Sequence, residues 1–412
     1  MTITVQDCHS KIPAKASASI PKRVWFIPFA VWGFAILFAR MGNSIGRIPS
    51  DPGDEYFRAA ALQPIKSLFL RTDNQLIVGI RFLSELVVLF PFRYQAIVTN
   101  VLVAGVWVLA SILIVQIVQS ESHSKFISFI GGTLFLVAPA LSESQLGNIG
   151  GIRWALYGVA AVAISSPKFR SNHVRVLLGL IVLLGLTHPL ALAIFPGALH
   201  WLFVSSKVDR RKSTVILCVI VACFAVQLVA SEMLGGAQIG RLNTAVFWPW
   251  DGAGAFWWFN WLFPPLLAVS CLCVHFIVRN KPFTNTDFAA LLAFQSFTIS
   301  FTTYALAGIS DRYLIVPFVL SGTSAFIMLF ELKFFLQRLY SPMLLAAVFL
   351  ALVPIIKWFP AGWYLTGQQT WRSQVDSAIM KCNLDPSTEI LLYYASGVSE
   401  SYSCLEIFSR NS

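Results

Sequence analysis

Leu76-Ile77-Val78-Gly79-Ile80-Arg81-Phe82-Leu83-Ser84-Glu85-Leu86-Val87-Val88-Leu89-Phe90-Pro91-Phe92 is the stretch that decides how the rest of the chain is threaded. It is apolar enough to pass for a membrane crossing, yet it holds Arg81 and Glu85 four residues apart, which puts the pair on one helix face. Read as a crossing, it sends every later loop to the opposite side. Read as a helix lying in the membrane interface, it leaves the later loops in a consistent charge pattern. The second reading is adopted.

The 412 residues are 57% hydrophobic and only 12% charged, with a mean hydropathy of +0.71. A soluble domain is nearer 45–50% apolar. Several runs reach the roughly 17–25 residues that a helix needs to cross a bilayer core. The chain reads as an all-α polytopic membrane protein. Its 34 Phe and 13 Trp suit interfacial aromatic belts. The net charge of +11 does not indicate nucleic acid, because the basic residues are scattered through loops between apolar runs.

About eleven crossings are expected, near 24–39, 95–118, 126–141, 147–165, 176–188, 190–205, 213–231, 256–278, 287–306, 313–330 and 341–357. Residues 1–23 form a cytoplasmic tail before an uncleaved first helix, 24–357 the membrane domain, and 358–412 an extracytoplasmic C-terminal module. The run 176–205 must turn back on itself. Lys168, Arg170 and Arg175 precede it, while Lys207, Arg210, Arg211 and Lys212 follow it, and both clusters favour the cytoplasm. Thr187-His188-Pro189 is where it bends, since Pro removes a helix hydrogen bond.

With the N-terminus inside, the inner segments hold 16 of the 30 Lys and Arg, and every inner loop has at least one. The outer segments hold 14 of the 19 Asp and Glu. The plasma or inner membrane of a cell is the expected location. Cys382 and Cys404 sit on one short outer module, where an oxidising exterior suggests a disulfide.

Four polar groups share the outer side in this topology. Within the outer loop 40–94, Ser50-Asp51-Pro52-Gly53-Asp54-Glu55-Tyr56-Phe57-Arg58 carries three carboxylates in five positions, and its Pro-Gly places them on a turn rather than in a helix. The second group is a Gly-rich lead-in to the fourth crossing, with Asn148 and Arg153. The third is Thr187-His188-Pro189. The fourth is Ser310-Asp311-Arg312-Tyr313, followed by Pro317. Ionisable groups at membrane depth are costly and usually functional. Each group also has a plainer account. Asp is common in turns, Arg153 can snorkel to lipid phosphates, His188 can bond across helices, and Asp311 with Arg312 can end a loop as an ion pair.

The combination suits transfer chemistry. A carboxylate of Asp51, Asp54 or Glu55 can act as general base on an acceptor hydroxyl. Arg58, Arg153 and Arg312 can hold a lipid phosphate through charge-assisted bonds, with Asn148, His188, Asp311 and Tyr313 completing a substrate cavity. Asp51 and Asp54 have the hard oxygens that suit Mg or Mn, although nothing in the sequence requires a metal. There is no phosphate-binding loop motif. Trp248, Trp250, Trp257, Trp258 and Trp261 read as an interface belt, or as stacking platforms for a sugar or isoprenoid.

On Asp51-Pro52-Gly53-Asp54-Glu55 in a long first outer loop, and on Arg312-Tyr313 followed by Pro317, the chain resembles the GT-C class of integral-membrane glycosyltransferases. The resemblance covers the architecture of nearly the whole chain. It implies a polyprenyl-phosphate-linked sugar as donor, a glycan or lipid acceptor, and inverting single-displacement transfer on the extracytoplasmic face. The alternative is a transporter or flippase of a lipid-linked saccharide, with a similar cavity but no base. Transporters often carry inverted repeats with broken helices, and none is apparent here.

Overall fold

The computed structural model describes residues 26–42, 45–48, 53–72, 75–138, 148–204, 207–230, 255–278, 286–307, 314–332, 369–394 and 399–411. The tail 1–23, Asp51, Asp311, Arg312, Tyr313 and the expected crossing at 341–357 lie outside these residues, as do the side chains of Asp54 and Glu55.

The described residues are mostly helical, with fifteen helices: α1 Phe26–Met41, α2 Gly53–Leu62, α3 Val78–Val87, α4 Gln95–Ser122, α5 Lys125–Val137, α6 Ile152–Ser165, α7 Pro167–Asn172, α8 Val174–Gly185, α9 Phe195–Val204, α10 Lys207–Ala230, α11 Ala255–Val278, α12 Thr286–Ala307, α13 Ile315–Glu331, α14 Trp371–Leu384 and α15 Cys404–Asn411. Two stretches, Phe92–Ser122 and Arg210–Ala230, are long and apolar enough to cross a membrane; several shorter apolar helices accompany them. Helix α4 packs on α1, α5 and α6, and α11, α12 and α13 pack on one another, with α13 also meeting α5 and α6.

Local sequence sets the helix boundaries. The Ser124 side chain accepts from the Ile127 amide at 3.3 Å, starting α5. Ser166 accepts from the Phe169 amide at 3.1 Å and is followed by Pro167 at the first helical position, starting α7. Leu186, Thr187 and His188 separate α8 from a 3-10 segment, Pro189–Ile194, which runs into α9. The expected break at Thr187-His188-Pro189 is therefore present.

Cross-links define the two ends of the bundle. At one end Glu121 accepts from the Lys168 amide at 2.9 Å, Arg170 donates to Ser213 at 3.0 Å, and Lys212 donates to the Ser171 carbonyl at 3.0 Å. This end gathers Lys125, Lys168, Arg170, Arg175 and Arg210–Lys212. At the other end Arg40 donates to the Leu136 carbonyl at 2.9 Å and to that of Ala138 at 3.3 Å, satisfying carbonyls that the end of α5 leaves open. There too, Gln227 donates to the carbonyls of Leu76 and Gly185, each at 2.9 Å.

The C-terminal module consists of α14, a hairpin of β3 (Glu389–Tyr393) and β4 (Ser399–Ser403), and α15. The strands pair antiparallel, with Leu391 opposite Ser401. Ile390 and Leu392 point inward at the strand period of two, packing with Trp371, Val375, Tyr402 and Ile407. A Cys382–Cys404 disulfide ties α14 to α15, with Cα atoms 5.3 Å apart. The Asp385 carboxylate accepts from Ser387 N at 3.0 Å, Ser387 Oγ at 2.6 Å and Thr388 Oγ1 at 2.8 Å, fixing the turn into β3.

This module docks on the early loop. Trp371 donates its backbone amide to Gly46 O at 2.9 Å and its indole to Phe92 O at 3.0 Å. The Phe92 ring meets Trp371 edge-on at 5.2 Å and Arg410 at 4.2 Å. Arg58 bridges Glu400 at 3.3 Å and Glu406 at 3.1 Å.

Candidate functional site

The candidate site lies at the end of the bundle opposite the basic cluster and is built from α2, α3, α6 and the break after α8. One expectation about its first segment is corrected. Asp54 and Glu55 do not lie on an open turn: Gly53 begins α2, and they are its second and third residues. Pro52 immediately precedes the helix, where a fixed φ and a missing amide cost little. Acidic residues in the first helical turn also gain from the helix dipole. On α3 the Arg81 side chain is 1% exposed. Its guanidinium stands 4.8 Å from the Tyr56 ring centre, beside the residue that follows Glu55. Glu85 accepts from the Ser67 hydroxyl.

The amide of Val78 donates to Leu186 O at 3.1 Å, and the amide of Gly79 donates to Thr187 Oγ1 at 3.0 Å. A Cβ at residue 79 would stand 2.7 Å from that oxygen, so glycine permits the approach. The start of α3 is thus fastened to the break after α8. The short 3-10 turn Ile149–Gly151 packs against both α3 and α4. Asn148, expected to bind substrate, is 4% exposed and accepts from Gly150 N at 2.8 Å, capping this turn.

From the turn, α6 projects Arg153, Trp154 and Tyr157. The Arg153 guanidinium lies 5.5 Å from the Trp154 ring. His188 is buried and meets Trp154 edge-on at 4.8 Å and Tyr157 at 6.1 Å. Trp154 and Tyr157 are three residues apart and share a helix face. The Tyr157 hydroxyl is buried and makes no hydrogen bond among the described residues.

Two of the four sequence groups therefore meet, the Gly-rich lead-in through the turn and α6, and Thr187-His188; α3, from the same loop as the carboxylate group, is fastened beside them, while the side chains of Asp51, Asp54 and Glu55 lie outside the described residues. The fourth, Asp311 to Tyr313, lies outside the described residues. Arg58 faces elsewhere, held by Glu400 and Glu406 on the C-terminal module. Sequence reasoning passed over Tyr157 and Tyr56. Tyr157 carried one signal, its spacing from Trp154 on a helix face; Tyr56 carried none beyond adjacency to Glu55. Among the described residues no group of three or more His, Cys, Asp or Glu is placed to hold a metal, and the proposed ligands Asp51 and Asp54 have no described side chains.

A scan of protein-family models finds no match to the chain. A search of curated proteins finds none either.

Proposed function

We propose that the chain is a membrane-embedded glycosyltransferase of GT-C-like architecture that takes its sugar from a polyprenyl-phosphate-type lipid. In this reading it crosses the membrane about eleven times. The basic end faces the cytoplasm by the positive-inside rule, and the site, the early loop and the C-terminal module lie outside. The observation that supports it most is the convergence on Gly79, Thr187, Trp154 and His188: a helix of the acidic loop is fastened where an arginine-bearing helix and a buried histidine meet.

The reaction would run as a single displacement. A carboxylate of Asp51 or Asp54, with Glu55 as a further candidate, takes the proton of an acceptor hydroxyl. The acceptor oxygen bonds to the anomeric carbon as that carbon's bond to phosphate oxygen breaks. The lipid phosphate leaves with the electron pair, its charge met by Arg153 and Arg312. Configuration inverts, and no step requires a metal; Mg or Mn at Asp51 and Asp54 would add charge stabilisation. The glycan or lipid acceptor approaches from the outer side.

The test is sugar transfer in proteoliposomes from a labelled polyprenyl-phosphate sugar. Asp51→Asn or Asp54→Asn, whichever removes the base, is expected to lower transfer by about 10²–10⁴-fold with the protein still folded. Undiminished transfer in both variants and in Glu55→Gln would overturn the assignment of the base. Absent transfer in the unmodified protein, with movement of the lipid-linked sugar between leaflets intact, would favour the flippase.

A further inference from the structure

Between α2 and the strand β1 (Arg71–Thr72) the chain makes a tight projection, Leu62 to Leu70. Ile65 adopts φ 63°, ψ −48°, and the amide of Lys66 donates to Pro64 O at 2.7 Å. That is a classic-sense γ-turn, a rare and strained geometry, here imposed on a β-branched residue. Leu62, Ile65 and Phe69 are 69%, 74% and 68% exposed, so three large apolar side chains stand outward from eight residues.

Most of the backbone amides beneath them are paired within the projection. Gln63, Ser67, Leu68 and Leu70 donate their amides to Ala59, Gln63, Ile65 and Ser67. The buried Ser67 hydroxyl ties the base of the projection to Glu85 on α3. A turn with most of its donors paired inward and its large apolar side chains outward can rest at headgroup level while those side chains reach the acyl chains. Strain at such a site points to a function for the conformation it holds.

The projection continues into β1 and β2 (Gln75–Leu76), where Leu76 N donates to Gln227 Oε1 at 3.1 Å. Gln227 belongs to α10, one of the two helices apolar and long enough to cross a membrane, and its neighbours Val226 and Val229 are 45% and 66% exposed. The exposed apolar tip is thereby linked, strand by strand, to the face α10 would offer to lipid. Exposed Phe82, Leu89 and Phe90 of α3 and the turn after it extend the same kind of surface.

We infer that Leu62, Ile65 and Phe69 form a wedge immersed in the acyl region of the leaflet nearest the site, with Lys66 reaching back toward lipid phosphate. The partner is the lipid bilayer itself. This rests on the membrane placement proposed above but not on the transfer reaction. A wedge held by Ser67 and Glu85 anchors the loop that bears Asp54 and Glu55 at a fixed depth, level with a lipid-borne substrate.

The test is fluorescence quenching in phosphatidylcholine vesicles. Ile65→Cys and Phe69→Cys are made separately in a Cys8→Ser, Cys218→Ser, Cys273→Ser background and labelled with bimane, with Val229→Cys as the reference for a lipid-facing helix position. Acyl-brominated lipid is expected to quench labels at 65 and 69 as strongly as at 229, while aqueous iodide leaves all three bright. Iodide quenching at 65 and 69 with bromolipid quenching at 229 overturns the wedge and leaves the membrane placement standing. Iodide quenching at all three removes the membrane placement too. Labels at 65 and 69 reached by neither quencher are covered by protein, which also overturns the wedge. Agreement between the two tip positions guards against a local effect of either substitution.

Discussion

The amide of Gly79 donates to the hydroxyl of Thr187 at 3.0 Å across 108 residues of sequence, joining the helix of the early loop directly to the break after α8. Gly79→Ala forces a methyl to within 2.7 Å of that oxygen. The expected cost is about 1–3 kcal/mol, seen as a lower midpoint in thermal unfolding. Adding Thr187→Ala opens the space, so the pair is expected to lose less than the sum of the single changes.

Tyr157 separates a role in folding from a role in the site. Its hydroxyl is buried without a hydrogen bond among the described residues, and burying an unsatisfied polar group costs about 1–3 kcal/mol. Tyr157→Phe is therefore expected to hold or raise thermal stability. If the hydroxyl serves substrate, the same variant loses transfer activity. Unchanged activity assigns Tyr157 to packing alone.

The Arg58 bridges are partly solvated, with side chains of Arg58, Glu400 and Glu406 38%, 36% and 17% exposed. Each is expected to contribute no more than about 1 kcal/mol. Glu406 also meets Arg410 at 3.5 Å, so Glu406→Ala is expected to cost more than Glu400→Ala. A double-mutant cycle of Arg58→Ala with Glu406→Ala measures the coupling, which weakens as salt is raised.

The disulfide closes a loop of 22 residues' separation. Replacing both Cys382 and Cys404 by Ser is expected to destabilise the module by about 3 kcal/mol. Protease sensitivity of α14 and α15, with and without reductant, checks this. The helices before residue 332 are expected to be unaffected.

The Asp385 carboxyl is held below the ordinary carboxylate range, first by the Ser387 hydroxyl, then by Thr388 and the Ser387 amide. A group whose folded-state value is depressed stabilises above its unfolded value and loses that contribution as pH falls through the folded one. The turn into β3 is therefore expected to loosen only below roughly pH 4. Asp385→Asn removes that pH dependence, as followed by amide exchange at Ser387.

Local signals carried much of the fold. The break at Thr187-His188-Pro189 was legible because a proline fell between two basic clusters that favour one side. The helices at 95–122, 255–278 and 286–307 fall on the segments expected at 95–118, 256–278 and 287–306. Cys382 and Cys404 were the two cysteines of one polar module. What stayed hidden depended on distant partners. Pro52-Gly53 reads as a turn, yet Gly53 opens a helix that packs on α3. The spacing of Arg81 and Glu85 suggested a pair, while the side chains turn to Tyr56 and Ser67. Arg58 read as a phosphate ligand because its mates are 342 and 348 positions away, beyond the reach of any local pattern. Ile65 carried no sign of its backbone geometry, since an isoleucine is among the last residues expected there.

The docking of Trp371 on Phe92, 279 residues apart, has a consequence for biogenesis. At about 5–20 residues per second, ribosomal synthesis separates the two by on the order of 15–60 s. Through that interval the early loop exists without the surface that finishes it. The segment made among the first is among the last to mature. A ribosome stalled after residue 332 would release a chain in which α1 to α13 are made and the early loop still lacks its docking surface.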